Sequence, residues 1–146
     1  MPCTAASPQL LRHRYPATPD GVRSALVDGM RKLVPLSLSP EDLAAIELVL
    51  AELLNNVAEH AYGGSGRGEL DLSLTAEPDA LAVMVTDEGA AMPGGPAGPA
   101  PAPPNPASLP EGGFGWMLIR AHARDIVYRR SPGRNRLCLR ILTGRD

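Results

Sequence analysis

The stretch ELLNNVAEHAYGG, Glu52 to Gly64, decides how the chain is read. It closes a helix that begins at SPED, with Ser39 as cap, Pro40 in the first turn and acids directly behind. Along that helix Leu43, Ile46, Leu50, Leu53 and Val57 form an apolar stripe that must face a core. Glu52, Asn56 and His60 recur every fourth residue and stack on one face, rotated away from the stripe. Asparagine is a poor helix former because its amide competes for backbone hydrogen bonds, so adjacent asparagines need a reason. A carboxylate and an amide oxygen in line are hard ligands of the kind Mg2+ accepts, and a carboxylate can also serve as a general base. Taken alone, the triplet also fits a solvated polar face, although such a face more naturally uses Lys, Arg and Gln. Asn55, one residue out of register with the triplet, reads as a bystander.

Outward from this helix, the elements follow from periodicity. LLRHRYPA supplies a first strand, and from Asp20 to Leu33 the residues Val22, Leu26, Met30 and Leu33 recur at helical spacing. After GGSGRG ends the long helix, LDLSL alternates Leu70, Leu72 and Leu74 with polar residues. LAVMV then sets Leu81, Val83 and Val85 on one side, with EPD as the turn between the two strands. Gly89 to Gly112 holds half of the 16 prolines, which excludes a regular helix or an interior strand there. So long a loop inside a compact domain is usually functional or disordered, and drift toward Ala, Pro and Gly accounts for its details but not for its position. GGFGWMLIRAHARD starts a third helix, with Met117, Leu118, Ala121 and Ile119 expected on its apolar side. DIVYRR and RLCLRIL close the chain as strands joined at SPGRN, with Leu137, Leu139 and Ile141 alternating. Paired strands with helices between them predict an α+β fold, a two-layer sandwich with helices on one face of a mixed, mostly antiparallel sheet.

Composition narrows the function classes. The chain has 146 residues, the size of one domain, expected here to span residues 1–146. With 44% hydrophobic but only 3% aromatic residues, the core must be aliphatic. A net charge of −2 gives no footprint for general binding of nucleic acid. Lys32 is the sole lysine, and half of the 14 basic residues fall between Arg120 and Arg140, which reads as a solvated edge of the fold. Cys3 and Cys138 sit at opposite ends without metal-ligand spacing, which suits a reducing cytoplasm. The start MPCTAASPQLLRHRYPA lacks the features of a signal peptide, and no apolar run approaches the roughly 20 residues that span a bilayer. A soluble, cytoplasmic protein without a membrane partner is the expectation.

Two further segments carry chemistry. In VTDEGAA, Asp87 ends a strand, where a carboxylate can accept a hydrogen bond from a buried ligand, and Gly89 permits close approach of backbone and ligand. Asp and Gly are also ordinary turn residues. In EGGFGWMLI, Gly112, Gly113 and Gly115 lead into a helix, so backbone amides and the positive helix end converge in a way that suits phosphate. No lysine follows, so this is not the lysine-bearing phosphate loop.

The order of these elements is more specific than any one of them. A helix with E-x-x-x-N-x-x-x-H, a strand ending in D-x-G, a long loop and a G-x-G opening a helix resembles the Bergerat-fold (GHKL) ATPases. That group includes DNA gyrase, the ATP domains of histidine kinases and the MutL repair proteins. ELLNNVAEHAY, VTDEG, GGFGWMLI and DIVYRRSPGRNRLCLR are most similar to the anti-sigma factor serine kinases of the RsbW and SpoIIAB type, over Arg14 to Ile141. The resemblance implies a histidine kinase-like ATPase fold that uses ATP and Mg2+. Carried over to this chain, it makes Asn56 the Mg2+ ligand that bridges the metal to the phosphates, and Glu52 the base that deprotonates a serine of a protein substrate. Asp87 would accept from the adenine amine, Gly89 would shape the base pocket, and Gly113 and Gly115 would let a lid at about 90–112 close on the phosphates. Arg23 would lie near the γ-phosphate and the partner surface, where a positive charge stabilises a transferring phosphoryl group. His60 would hold the helix end and pocket wall.

The implied function is that of an anti-sigma factor and serine/threonine protein kinase. It would hold a sigma factor in one state and phosphorylate a STAS-domain anti-anti-sigma protein in another, often as a homodimer. The alternative is a non-catalytic, ATP-responsive module that sequesters a regulator. The sequence departs from the family pattern in three places. Ala91 replaces the second glycine of the D-x-G-x-G box, the lid is rich in Pro and Ala, and Asn135 stands where threonine is common, which bears on a contact to adenine.

Overall fold

A computed structural model describes residues 7–62, 67–90 and 113–144. The elements run in the expected order: β1 (Gln9–Pro16), α1 (Pro19–Leu33), α2 (Pro40–Tyr62), β2 (Glu69–Glu77), β3 (Ala80–Asp87), α3 (Gly113–His122), β4 (Ala123–Ser131) and β5 (Arg134–Leu142), with a single 3-10 turn at Val34–Leu36 after α1. Residues 91–112, which hold nearly all of the expected lid, lie outside the described residues, as do Cys3 and most of GGSGRG.

The first two helices start as their sequences dictate. Thr18 caps α1, its Oγ1 accepting from the Gly21 amide at 2.9 Å, with Pro19 in the first turn and Arg31 and Lys32 in the last. At α2 the Ser39 hydroxyl accepts from the Asp42 amide at 3.1 Å. Gly21 is required by packing rather than by its dihedral angles: a β-carbon there would lie 1.9 Å from the carbonyl oxygen of Pro16. That contact lets α1 fold back directly over the end of β1.

The five strands form one sheet in the order β1-β2-β3-β5-β4. Every pairing is antiparallel, the limiting case of the mostly antiparallel sheet expected. Topology explains this. β3 and β4 run in the same direction, joined through α3, and β5 inserts between them, so two antiparallel contacts replace the parallel one that a simple crossover would give. Two-residue loops, Pro78–Asp79 and Pro132–Gly133, set the registers of the hairpins, with Gly133 in the left-handed region at φ 72°.

Period-two alternation sends Leu70, Leu72, Leu74, Val83, Val85, Leu137, Leu139 and Ile141 to the face covered by helices, all at most 2% exposed. From the helices come Val22, Ala25, Leu33, Ile46, Leu50, Leu53 and Val57, joined by Val49 and Leu54, so the buried face of α2 is wider than its heptad-like stripe. Each fully buried Leu or Ile stabilises the fold by about 1.5–3 kcal/mol, which makes this aliphatic layer the main source of stability. α3 corrects the sequence expectation. Ile119 is fully buried, whereas Met117 and Leu118 are 45% and 37% exposed and Ala121 is exposed. Trp116 and Ile119, three apart, define the packed face and lead into buried Ala123. A ten-residue helix has room for one contact row, and the consecutive apolar run of MLI did not say which.

Polar contacts secure the periphery. The Tyr15 hydroxyl donates to Asp28 of α1 at 2.8 Å, and burial together with that carboxylate raises the phenol above its ordinary range. On β5, Arg140 binds the buried Glu77 at 2.6 Å and reaches Asp125 at 3.2 Å. Asp125 adopts φ 54° where β4 bulges between Arg124 and Val127. Cys138 is half-buried. Among the described residues no helix is long and apolar enough to cross a membrane.

Candidate functional site

The site forms where the apolar rows of the sheet run out. In the registers of β2, β3, β5 and β4, Leu70 pairs with Asp87, Asp87 with Asn135, and Asn135 with Arg130. Asp87 and Asn135 therefore continue the helix-facing rows of Val83–Val85 and Leu137–Leu139 by one more position, now with polar side chains. They are 4% and 3% exposed. The opposite face of the sheet is a separate surface, with a groove of about 350 Å³ between Arg12, Arg14, Arg134 and Arg136 that acids such as Asp71 and Glu69 interrupt.

Buried polar groups must be paired, and here they are paired with one another. Asp87 Oδ1 accepts from the Gly89 amide at 2.8 Å and from Asn135 Nδ2 at 2.8 Å. The first bond is the ordinary turn of an Asp two residues before a Gly, so the turn and the site are the same structure. Asn135 Nδ2 also donates to the Ala90 carbonyl at 2.8 Å, while Asn135 Oδ1 accepts from Arg130 at 3.0 Å and from the Tyr128 hydroxyl. Arg130 further donates to the Gly89 carbonyl at 2.7 Å. Asp87 Oδ2 takes no donor from the described residues, which leaves one carboxylate oxygen for a ligand.

Tyr128 and Arg130 were not singled out from sequence. A signal was present: a two-residue turn at Pro132–Gly133 places Arg130 opposite Asn135, and strand periodicity puts Tyr128 on the same face as Arg130.

On α2, Asn56 is 3% exposed and its Nδ2 is buried without a hydrogen-bond partner among the described residues. Glu52, one turn earlier on the same face, is half-buried, whereas Asn55 and Glu59 are exposed. A buried amide with an unmet donor, beside a partly accessible carboxylate, fits a polar ligand better than a packed core. Among the described residues no three His, Cys, Asp or Glu side chains cluster to hold a metal. A hard cation here would take few protein oxygens, Asn56 Oδ1 first, and complete its shell with phosphates and water, as Mg2+ does in nucleotide sites.

Arg23 is exposed on α1 and is not joined to the Asp87 cluster by any hydrogen bond. Gly113 opens α3 and Gly115 lies in its first turn, the turn whose backbone amides have no acceptor within a helix. The side chain of His60 and the whole of Gly112 and Ala91 lie outside the described residues.

Comparison with known proteins bears on the family and the fold. A histidine kinase-like ATPase domain matches residues 15–141. The chain is 26% identical to a serine-protein kinase RsbW of Oceanobacillus iheyensis, over 77% of this chain and 74% of the relative. It is likewise 26% identical to an anti-sigma F factor of Bacillus licheniformis, over 68% of each chain. Among solved structures, the RsbU and RsbW domains of a Mycobacterium tuberculosis protein superpose with a TM-score of 0.62 at 16% identity. That match covers 95% of this chain but only 34% of the other, so this chain corresponds to about a third of that chain. The SiaB–SiaC complex of Pseudomonas aeruginosa gives a TM-score of 0.61 at 15% identity, covering 94% and 92%. At these identities the structural likeness establishes the fold alone.

Proposed function

The chain belongs to the histidine kinase-like ATPase domain family, and we propose that it is an ATP-binding anti-sigma factor with serine/threonine protein kinase activity toward a STAS-domain anti-anti-sigma protein. The observation that carries this reading is the buried, unpaired amide of Asn56 one turn after half-buried Glu52, in a chain related to an anti-sigma F factor and to a serine-protein kinase RsbW. A purely structural adaptor would have no use for that unmet donor.

In this reading Asp87 Oδ2 accepts from the adenine amine, and Gly89 shapes the base pocket. Asn56 Oδ1 would hold Mg2+, which would supply charge neutralisation at the phosphates. Gly113 and Gly115 present backbone amides to the phosphate oxygens. Glu52 takes the proton from a partner serine as its oxygen bonds to the γ-phosphorus, while the bond to the bridging oxygen breaks and leaves ADP. Arg23, exposed on α1, faces the partner and stabilises charge on the transferring group. The protein would work in the cytoplasm, holding a sigma factor when the anti-anti-sigma protein is phosphorylated, and as a homodimer.

The test mixes the protein with a candidate STAS protein and γ-labelled Mg-ATP. Wild type labels a serine or threonine of the partner. Glu52→Gln retains nucleotide binding and loses transfer by roughly 10²–10⁴-fold, the usual worth of a general base. Nucleotide binding without transfer, and sigma-factor binding that responds to ATP equally in Glu52→Gln, would instead establish the non-catalytic, ATP-responsive module.

A further inference from the structure

The amide of Asn135 has a fixed orientation. Its nitrogen can only donate and its oxygen can only accept. Nδ2 donates to Asp87 Oδ1 and to the Ala90 carbonyl, both at 2.8 Å. Oδ1 accepts from the Arg130 guanidinium at 3.0 Å and from the Tyr128 hydroxyl. Turning the amide over would set its N–H groups against the guanidinium and its oxygen against a carboxylate and a carbonyl. Tyr128 and Arg130 therefore lock Asn135 with its donor end toward Asp87. A threonine in the same place would offer a single rotatable hydroxyl with one donor and could not make this set of contacts.

The lock acts on Asp87. With Asn135 and the Gly89 amide both on Oδ1, the carboxylate cannot rotate without breaking two hydrogen bonds, and Oδ2 is left as the one free acceptor. An acceptor held in place attracts a base that carries an exocyclic amino group and repels one that carries a carbonyl there. The repelled base finds no relief from Asn135, whose donor cannot swing over to meet it. We propose that Asn135, locked by Tyr128 and Arg130, is the positioning residue that sets the nucleobase preference of this site, selecting amino-bearing over carbonyl-bearing purine nucleotides. The inference rests on the ATP-binding reading above and adds a determinant to it.

The experiment compares binding of ATP and of inosine triphosphate, which has a carbonyl in place of the amino group, to the full chain by calorimetry in Mg2+. Wild type should favour ATP by about tenfold or more, the discrimination expected of one hydrogen bond to a charged group. Asn135→Leu should cut that ratio by about tenfold, mostly by weakening ATP. The double variant Tyr128→Phe/Arg130→Met keeps Asn135 and removes its lock, together with the Arg130 bond to the Gly89 carbonyl, so its ratio should fall in the same direction, by about threefold. General damage to the pocket would weaken both nucleotides alike and leave the ratio unmoved. A wild type that prefers ATP, with the ratio preserved in the double variant and in any Asn135→Leu protein that folds, would overturn the inference and leave the ATP reading standing. A wild type that binds neither nucleotide would overturn both.

Discussion

Replacing Asn56 by leucine should make the nucleotide-free protein more stable. The residue is 3% exposed and its Nδ2 is buried without an acceptor among the described residues. An unmet buried donor costs about 1–3 kcal/mol, and the cost disappears when the polar group is replaced by an apolar one of similar shape. Leucine also gains from burial, up to roughly 1.5–3 kcal/mol, while its branched shape in an existing site costs about 1–3 kcal/mol of overpacking. The two packing terms nearly cancel, so the net gain is about 1–2 kcal/mol. For a domain of this size that corresponds to a melting temperature higher by roughly 2–8 °C.

Saturating Mg-ATP should reverse the order. Wild type gains about 2.7 kcal/mol at a hundredfold excess over the dissociation constant, and a variant without the amide gains little or nothing. Urea and thermal unfolding of both proteins, with and without nucleotide, measure all four quantities. If Asn56→Leu were less stable than wild type without nucleotide, the amide would have to be paired in the free protein and the reasoning would fail. If the variant kept the full nucleotide stabilisation, Asn56 would not be a ligand-binding residue. The inversion would be a stability–function trade-off located at one side chain.

Two further outcomes test the frame around the site. Gly21→Ala should destabilise by roughly 1–3 kcal/mol or more, despite the better helix propensity of alanine, because its β-carbon would meet the Pro16 carbonyl at 1.9 Å. A lower urea midpoint at unchanged slope is the expected signature, and a stabilised variant would show that α1 can move off β1 freely. The fold favours the neutral phenol of Tyr15, through burial first and then its contact with Asp28. Its contribution is complete below the ordinary tyrosine pKa of about 10 and is lost as pH rises beyond it. The stability of wild type relative to Tyr15→Phe should therefore stay level up to about pH 9 and fall as the pH rises past about 10. A constant difference would contradict the sign.

Elements with strong periodicity and clear punctuation were legible in the sequence. The cap at Ser39, the alternation of Leu70, Leu72 and Leu74, and the turns at Pro78 and Pro132 each rest on local chemistry, and the structure has them in place. What local chemistry leaves open is which of several apolar residues finds a neighbour. In MLI of α3 all three residues are apolar, and only the approach of the core picks Ile119. Val49 and Leu54 widen the buried face of α2 because the sheet beneath it is broader than one helical stripe. The site was legible in the same uneven way. Glu52, Asn56, Asp87 and Gly89 stand out within their own segments, whereas the Tyr128–Asn135–Arg130 cluster exists only once two strand registers are known. The bulge at Asp125 left no mark that its sequence alone would reveal, since its purpose lies in the contact with Arg140.

The outermost strands carry one more consequence. A sheet with free sides exposes rows of unpaired amides and carbonyls that could template growth by another copy. Here β1 presents Arg12 and Arg14 and stops at Pro16, while β4 presents Arg124, Arg129 and Arg130 and is bent at Asp125. In a chain whose isoelectric point is near 5.9, this local concentration of guanidinium groups does not serve overall charge balance. On β1 the guanidinium groups are matched by Asp71 and Glu69 of β2, so it is chiefly the proline on one side and the bend on the other that deny a second copy a flat, fully bonded partner. Both outer strands are thus shaped so that an aliphatic, strand-rich chain offers no straight side along which another copy could continue the sheet.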